Sequence, residues 1–556
     1  MAPNKSMRAA DHLVEMLIAQ GCSHVFGVPG ESFLPVLDAL GDHTDKISFV
    51  TCRQEGGAAM AAEAQGKLTK RPGVCMVTRG PGATNASAGV HIAYQDSTPM
   101  ILFIGQVARG MIEREAFQEI DYRRMFGQMA KWVAQIDDPS RIQEFITRAY
   151  RVAMSGRPGP VVLALPEDML YEHIAVPQSP ARIVAPQYKP DEKAMDALQQ
   201  RLSAAERPLV IAGGGGWTKQ GTDALAEFAQ KQGVPVAVSL RSQGLIDNDH
   251  PHYVGHLNVA PSGYLDDAVR DADLLIAVGA RLGEMTTQGY SLLSSPVPEQ
   301  ALVHVFPAGE ELGRVFEPAL ALVSDVNSFC QGIADWPDLG AQKFEGRTTN
   351  LRAAFEKFST VLPSSDDALA KCFAHLDAVA PDNAIFCSGA GNYAGWLHRY
   401  VKIHRPDGQL APTSGSMGYG LPAAVAAAIT HPDRDVFAIA GDGCLMMTVQ
   451  ELATAMQFRL SLTVILVNNS RLGTIRAHQE REYPDRVVGT NLVNPDFQNL
   501  AAAFGAAYFC VETLDEFADS VSQTGDMSGL RIIEIVQAPT LISPGKWLAS
   551  APKAGR

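Results

Sequence analysis

Short apolar runs alternate with helical patterns along most of the chain. In the first third, "KISFVT", "GVCMVT" and "MILFIG" have the length and composition of strands. Between them, "EGGAAMAAEAQGKL" and "NASAGVHIAYQD" read as helices. The middle third carries strand-like "RPLVIAGGGG", "VPVAVS", "ADLLIAVGA" and "ALVHVF", and the last third "NAIFCSG", "DVFAIAGDG" and "LTVILVNN". Strands that are apolar throughout, with helices between them, predict parallel sheets covered on both faces. Two stretches read as linkers: residues 172–194, with four prolines, and the polar, glycine-containing residues 335–350. The expectation is an α/β fold of three doubly wound parallel-sheet domains, spanning 1–175, 190–335 and 360–545.

At 556 residues the chain is too long for one core. Its net charge of −14 argues against nucleic acid as a main partner. Eight scattered cysteines form no C-x-x-C pair, so neither a zinc site nor a disulfide framework is indicated, and a reducing, cytoplasmic location is expected. "MAPNKSMRAADHLVEML" lacks the apolar core of a signal peptide, and no run of eighteen apolar residues predicts a membrane span.

The chemistry concentrates in "GDGCLMMTVQELATAMQFRLSLTVILVNN", Gly441 to Asn469. A strand ends at Gly441-Asp442-Gly443. "TVQE", Thr448 to Glu451, has the capping-box pattern and predicts a helix running to about Phe458. The next strand ends at Asn468-Asn469. This strand–helix–strand order places Asp442 and Asn469 at the carboxyl ends of neighbouring parallel strands, where open α/β sheets bind ligands. A carboxylate and an amide carbonyl suit magnesium, which takes its other oxygens from phosphate and water. The flanking glycines allow a diphosphate close to the backbone. Alone, G-D-G is better explained by a glycine turn after a strand, with Asp as helix cap.

The segment resembles the thiamine diphosphate motif of the acetolactate synthase and pyruvate decarboxylase superfamily. The resemblance implies that Asp442, Asn469 and the Arg471 backbone carbonyl bind Mg2+, and that Gly441, Gly443 and Cys444 lie along the cofactor. "SGAGN", Ser388 to Asn392, resembles the upstream diphosphate loop, which implicates Gly389, Ala390, Gly391 and Asn392. Met417, in "SGSMGYGLPAA", matches the apolar residue that wedges the cofactor into its bent shape. In "CRQEGGAAMAAEAQGKLT", Glu55 matches the catalytic glutamate that hydrogen-bonds the aminopyrimidine ring; otherwise it would be an acid favoured by a helix N-terminus. Pro29 and Gly30 match a loop beside the thiazolium, and Phe117 and Gln118 match pocket residues of the acetolactate synthase branch. Gly80-Pro81-Gly82 reads as a strand-to-helix turn. In this family the pyrimidine end lies on the first domain of one subunit and the diphosphate on the third domain of another. A homodimer or homotetramer with interfacial sites is therefore implied.

The resemblance runs over residues 6–545, with three departures. Flavin-binding relatives carry a G-M-x-G segment and an acid after a later strand. Here these read "VGHLNVAP" and "HVFPAGEEL", with Pro307 at the acid's place and only Arg281 retained, so FAD is not expected. His478 stands where acetolactate synthases carry a tryptophan; with Arg476 and Gln479 it marks a more polar channel or a solvated helix face, and it is a catalytic candidate. The paired histidines of pyruvate decarboxylases are missing. The reading is thiamine diphosphate-dependent decarboxylation of a small 2-oxo acid, with carboligation to an acceptor carbonyl. The alternatives are a non-ligating decarboxylase similar to benzoylformate decarboxylase, or a 2-hydroxyacyl-CoA lyase. A CoA substrate would call for a basic groove and tail lid, of which Lys546, Lys553 and Arg556 offer a thin version. A non-catalytic scaffold has no need of Glu55, Asp442 and Asn469 together.

Overall fold

The computed structural model describes residues 6–175, 181–258, 262–525, 527–538, 540–544 and, as backbone, 546–547. Lys553, Arg556 and residues 176–180 of the first expected linker lie outside them.

Three six-stranded sheets carry the fold. The first is ordered Ser48–Thr51, His24–Gly27, Gly73–Val77, Met100–Gln106, Pro160–Pro166, Trp132–Gln135, all parallel. The second is ordered Tyr253–His256, Val236–Val238, Pro208–Ala212, Leu274–Val278, Ala301–Phe306, Leu320–Val323, again parallel. The third runs Gln409–Leu410, Ile385–Ser388, Val436–Gly441, Leu462–Asn468, Leu530–Val536, Ala507–Val511. The central strands are buried on both faces: every residue of Met100–Gln106 is inaccessible or nearly so. That is why these segments read as unbroken apolar runs, and each fully buried Ile, Leu or Phe contributes about 1.5–3 kcal/mol.

The chain divides into two compact units: residues 1–186 with 418–432 and 446–462, and residues 187–417 with 433–445 and 463–556. At the heart of the first lies the helix Glu55–Thr69, buried around most of its circumference. Its Gly and Ala residues allow this. A Cβ on Gly89, in the helix Pro81–Asp96, would stand 2.4 Å from the Ala59 Cβ. The helix Gly420–Thr430 packs on it as well, and Tyr419 donates to the buried Glu63 carboxylate at 2.6 Å. Lys67 ion-pairs with Glu63 and Asp96, and Thr98 also donates to Glu63. The second unit holds the other two sheets. Buried Gln243 joins them, donating to the His398 carbonyl at 2.9 Å and accepting from Gln409 at 2.8 Å.

Three expectations need correction. "TVQE" is not a capping box: the helix starts at Glu451, and Thr448 donates to the Gly418 carbonyl at 2.7 Å. Glu451 turns to other partners described below. Before it, Asp442–Leu445 forms one short helical turn. Residues 335–350 are not a linker throughout, since the helix Gln342–Ser359 begins inside them. It buries Phe344, Thr348 and Phe355 while its other faces stay polar, and that polarity conceals it in the sequence. The first linker likewise begins in structure: His173–Ala175 pairs antiparallel with Ser6–Arg8.

Candidate active site

The strand Val436–Gly441 lies parallel beside Leu462–Asn468, with Gly441 in register with Val467. Asp442 and Asn469 therefore emerge at adjacent strand ends, as the sequence spacing predicts. Asp442 is only 2 % exposed. Burial raises its pKa, opposed by hydrogen bonds from Asn494 and from the backbone N–H groups of Gly443 and Arg471. The Arg471 N–H also donates to Asn469 Oδ1 at 3.2 Å. The Asn469 amide oxygen is thus fixed within the turn that follows its strand, beside the strand end that carries Asp442. Ser470, at φ 52, makes that turn, and it is braced by Leu492 N–H to the Ser470 carbonyl and Leu472 N–H to the Thr490 carbonyl, both 2.9 Å.

The expected diphosphate loop follows the strand Ile385–Ser388. The Ser388 hydroxyl is buried and has no hydrogen-bond partner. Gly391, at φ 146, and Gly441 both close over the Tyr393 ring: a Cβ on either would stand within 2.7–2.9 Å of it. Tyr393 OH donates to Cys444 Sγ at 3.1 Å, so one ring supports both loops from below. Met417 is half-buried on the same core cluster. Asn392 is bound within the chain, donating to the Ile542 carbonyl at 2.7 Å and accepting from Thr474. A buried carboxylate with an amide oxygen at its side, glycine backbones without Cβ atoms, and an orphaned buried hydroxyl fit a magnesium diphosphate.

Glu55 is the first residue of its helix and half-buried. Its Oε2 accepts from Asn85 Nδ2 at 2.9 Å, and Oε1 lies 3.4 Å from where a Cβ on Gly82 would stand. Gly80, at φ 61, makes the expected strand-to-helix turn, and its missing Cβ gives room to Gln118, whose Cβ would be 2.7 Å away. Arg79 donates to the Phe117 carbonyl at 3.2 Å, so Gln118 is brought into the neighbourhood of this turn. Pro29 is exposed, and Gly30 lies close to Thr78, 2.5 Å from a notional Cβ.

His478 lies on the exposed face of the helix Gly473–Glu482 and accepts from Arg481 through Nδ1 at 2.8 Å. Arg476 is buried and pairs with Glu480 at 2.7 Å. Arg281 pairs with the buried Glu311 at 3.0 Å. Residues 259–261 of "VGHLNVAP" lie outside the described residues.

Two participants escape sequence reasoning. Asn494 donates to Asp442 at 2.7 Å, yet it lies 52 residues on in an irregular segment with no periodic signal. Asn85, the partner of Glu55, lies on the next helix within a motif whose glycines draw the eye first.

Comparison with known proteins identifies the family. The thiamine pyrophosphate enzyme N-terminal TPP-binding domain matches residues 7–125, the central domain 195–333, and the C-terminal TPP-binding domain 389–535. Acetolactate synthase isozyme 2 large subunit of Escherichia coli K12 is 32% identical over 510 residues, 90% of each chain. The isozyme 1 large subunit of the same organism is 32% identical over 518 residues, covering 90% of this chain and 89% of its own. The probable acetolactate synthase large subunit of Methanocaldococcus jannaschii is 30% identical over 570 residues, covering 99% and 94%. Domain models matched in chain order, and relatives matched almost end to end, place this protein in the thiamine pyrophosphate enzyme family.

Proposed function

We propose that the protein decarboxylates a small 2-oxo acid and ligates the remaining fragment to an acceptor carbonyl, an activity similar to that named for its acetolactate synthase relatives. The observation that carries this is the emergence of buried Asp442 and of Asn469 at the adjacent ends of two parallel strands, with the Asn469 amide oxygen fixed by the Arg471 N–H. In this reading Asp442, Asn469 and the Arg471 carbonyl hold Mg2+. Ser388, Gly389, Ala390, Gly391, Gly441 and Gly443 cradle the diphosphate, and Met417 and Cys444 lie along the cofactor. Asn392 steadies the loop through Thr474 and Ile542. When bound, thiamine diphosphate supplies a carbon nucleophile and an electron acceptor for loss of carbon dioxide.

The chain's own part is proton control and orientation. Asn85 fixes Glu55 Oε2, which leaves Oε1 to exchange a proton with the bound pyrimidine ring. Gln118, packed against the Gly80 turn, orients substrate beside Pro29 and Gly30. His478 is a weaker candidate for acid–base work, since its Nδ1 already accepts from Arg481. Domains 1–175, 190–335 and 360–545 take the pyrimidine-binding, central and diphosphate-binding roles, in a cytoplasmic homodimer or homotetramer that completes each site across a subunit interface. FAD has no part in this reading.

The test is to supply thiamine diphosphate and Mg2+, screen 2-oxo acids, and identify products by mass. Condensed hydroxy-ketone or acetohydroxy acid products are expected. Aldehyde alone, or cleavage of a 2-hydroxyacyl-CoA, would replace the ligation reading with its alternatives.

A further inference from the structure

A single hydrogen-bonded line leaves the Asp442 carboxylate and crosses the ends of the third sheet. Asn494 Nδ2 donates to Asp442 Oδ2 at 2.7 Å and to Asn468 Oδ1 at 3.0 Å. Asn468 Nδ2 donates to Glu534 Oε1 at 2.6 Å, and Tyr508 OH donates to Glu534 Oε2 at 2.5 Å. Glu534 is 5 % exposed, on the strand Leu530–Val536. The Asn468 backbone is fixed too, its carbonyl accepting from Gln537 N–H at 2.8 Å and its side-chain oxygen from Ser470 N–H at 3.0 Å.

The line has one consistent direction. Ionised carboxylates only accept, and each amide has one accepting and one donating end. Turning Asn494 over would set its carbonyl against the Asp442 carboxylate and the Asn468 carbonyl at once. Turning Asn468 over would set its carbonyl against Glu534 and its NH2 against the Asn494 NH2 and the Ser470 N–H. Glu534 and the Ser470 N–H together set how Asn468 points, Asn468 sets how Asn494 points, and Asn494 holds one oxygen of Asp442. A ligand carboxylate held this way meets its metal already oriented.

We propose that Asn494 is the positioning residue for the metal-binding carboxylate of Asp442, and that Glu534 acts through Asn468 to set the amide that holds it. This rests on the reading of Asp442 as a magnesium ligand. The substitution Asn494→Ala is expected to weaken divalent-ion binding about 10- to 100-fold. Glu534→Ala is expected to weaken it less, and the double variant to bind no worse than Asn494→Ala alone, because both changes act on one chain of contacts.

The test measures binding, not turnover. Mn2+ is titrated into the full chain with thiamine diphosphate present, and bound ion is counted from loss of the free-ion electron paramagnetic resonance signal. Asn499→Ala is the control, since Asn499 serves Asp496 on an exposed helix start. An Asn494→Ala affinity within twofold of wild type overturns the proposal. Additive losses in the double variant overturn the part given to Glu534. If Asn494→Ala does not fold, Asn494→Ser takes its place, and an affinity within twofold of wild type there is fatal; an unchanged affinity in Glu534→Ala overturns the part given to Glu534. A wild-type chain that binds no Mn2+ overturns both this inference and the reading of Asp442, whereas normal wild-type binding with an unaffected Asn494→Ala overturns this inference only.

Discussion

Glu451 offers a prediction that can be worked through from the geometry. Its carboxylate is 1 % exposed and accepts from Arg53 N–H at 3.2 and 3.3 Å, from Gln54 N–H at 3.2 Å, and from the Thr454 hydroxyl at 2.6 Å. Gln54 is the N-cap of the Glu55 helix, and its own side chain caps Gly57 N–H at 3.1 Å. In a capping box the residue three places into the helix reaches back to the N-cap N–H. Here that place is Gly57, and a Cβ on it would stand 2.6 Å from Glu451 Oε1. Glu451, 397 residues further along, supplies the missing half of the cap.

Glu451→Ala leaves two amides without their acceptor and the Thr454 hydroxyl with only the Thr51 carbonyl at 3.5 Å. At about 1–3 kcal/mol for each orphaned buried donor, partly offset by removing a buried charge, the loss is about 2–5 kcal/mol. Glu451→Gln keeps the shape. Its carbonyl takes both amides, while Thr454 turns its proton towards the Thr51 carbonyl at 3.5 Å, so the loss is about 1 kcal/mol. Burial raises the Glu451 pKa despite the donors from Thr454, Arg53 and Gln54. A raised carboxylate binds more protons folded than unfolded, so its contribution is present at low pH and is lost as pH rises through the raised value. Glu451→Gln removes that slope. The assay is hydrogen exchange of peptides spanning residues 53–60. Glu451→Ala should speed exchange at least about 30-fold, from 1.4 kcal/mol per factor of ten. Wild-type protection in Glu451→Ala would refute the remote-cap reasoning.

Three other outcomes are expected. Mixing Glu55→Gln chains with Asp442→Ala chains should restore activity, because the proposed interfacial arrangement would leave one intact site in each mixed dimer; no recovery on mixing would place both residues' work within one chain. Lys67→Met should destabilise the protein by about 3–5 kcal/mol, read as a lower thermal midpoint, because Glu63 and Asp96 lose their buried cation; an unchanged midpoint would show the cluster to be dispensable. Burial holds the His256 pKa down to about 4, so its neutral form is favoured in the fold. The stability this gives is complete above pH 6.5 and falls by about 1.4 kcal/mol per unit towards pH 4. His256→Gln should flatten the urea midpoint over that range, and an identical pH slope would contradict the assignment.

The parallel strands were legible because burial on both faces leaves unbroken apolar runs, as at Met100–Gln106 and Leu462–Asn468. Asp442 and Asn469 were legible because strand-end register follows from chain order. The strand His24–Gly27 does not stand out in the sequence, and neither does Trp132–Gln135, an edge strand in which only Ala134 is buried. "TVQE" misled because Thr448 and Glu451 each find a stronger partner elsewhere in the fold, and local pattern cannot see a distant acceptor or donor. Asn494 and Glu534 were invisible for the same reason: each is one polar residue whose meaning lies in what stands opposite.

The first compact unit is discontinuous, since it takes in residues 418–432 and 446–462. During synthesis, the alanine-rich helix that carries Glu55 leaves the ribosome long before the segments that cover it. From residue 186 to residue 462, elongation at about 5–20 residues/s takes roughly 14–55 s. Through that interval a helix built to be wrapped on every side stays partly bare. The nascent N-terminal third is thus a natural client for chaperones, and expressed by itself it should be sticky.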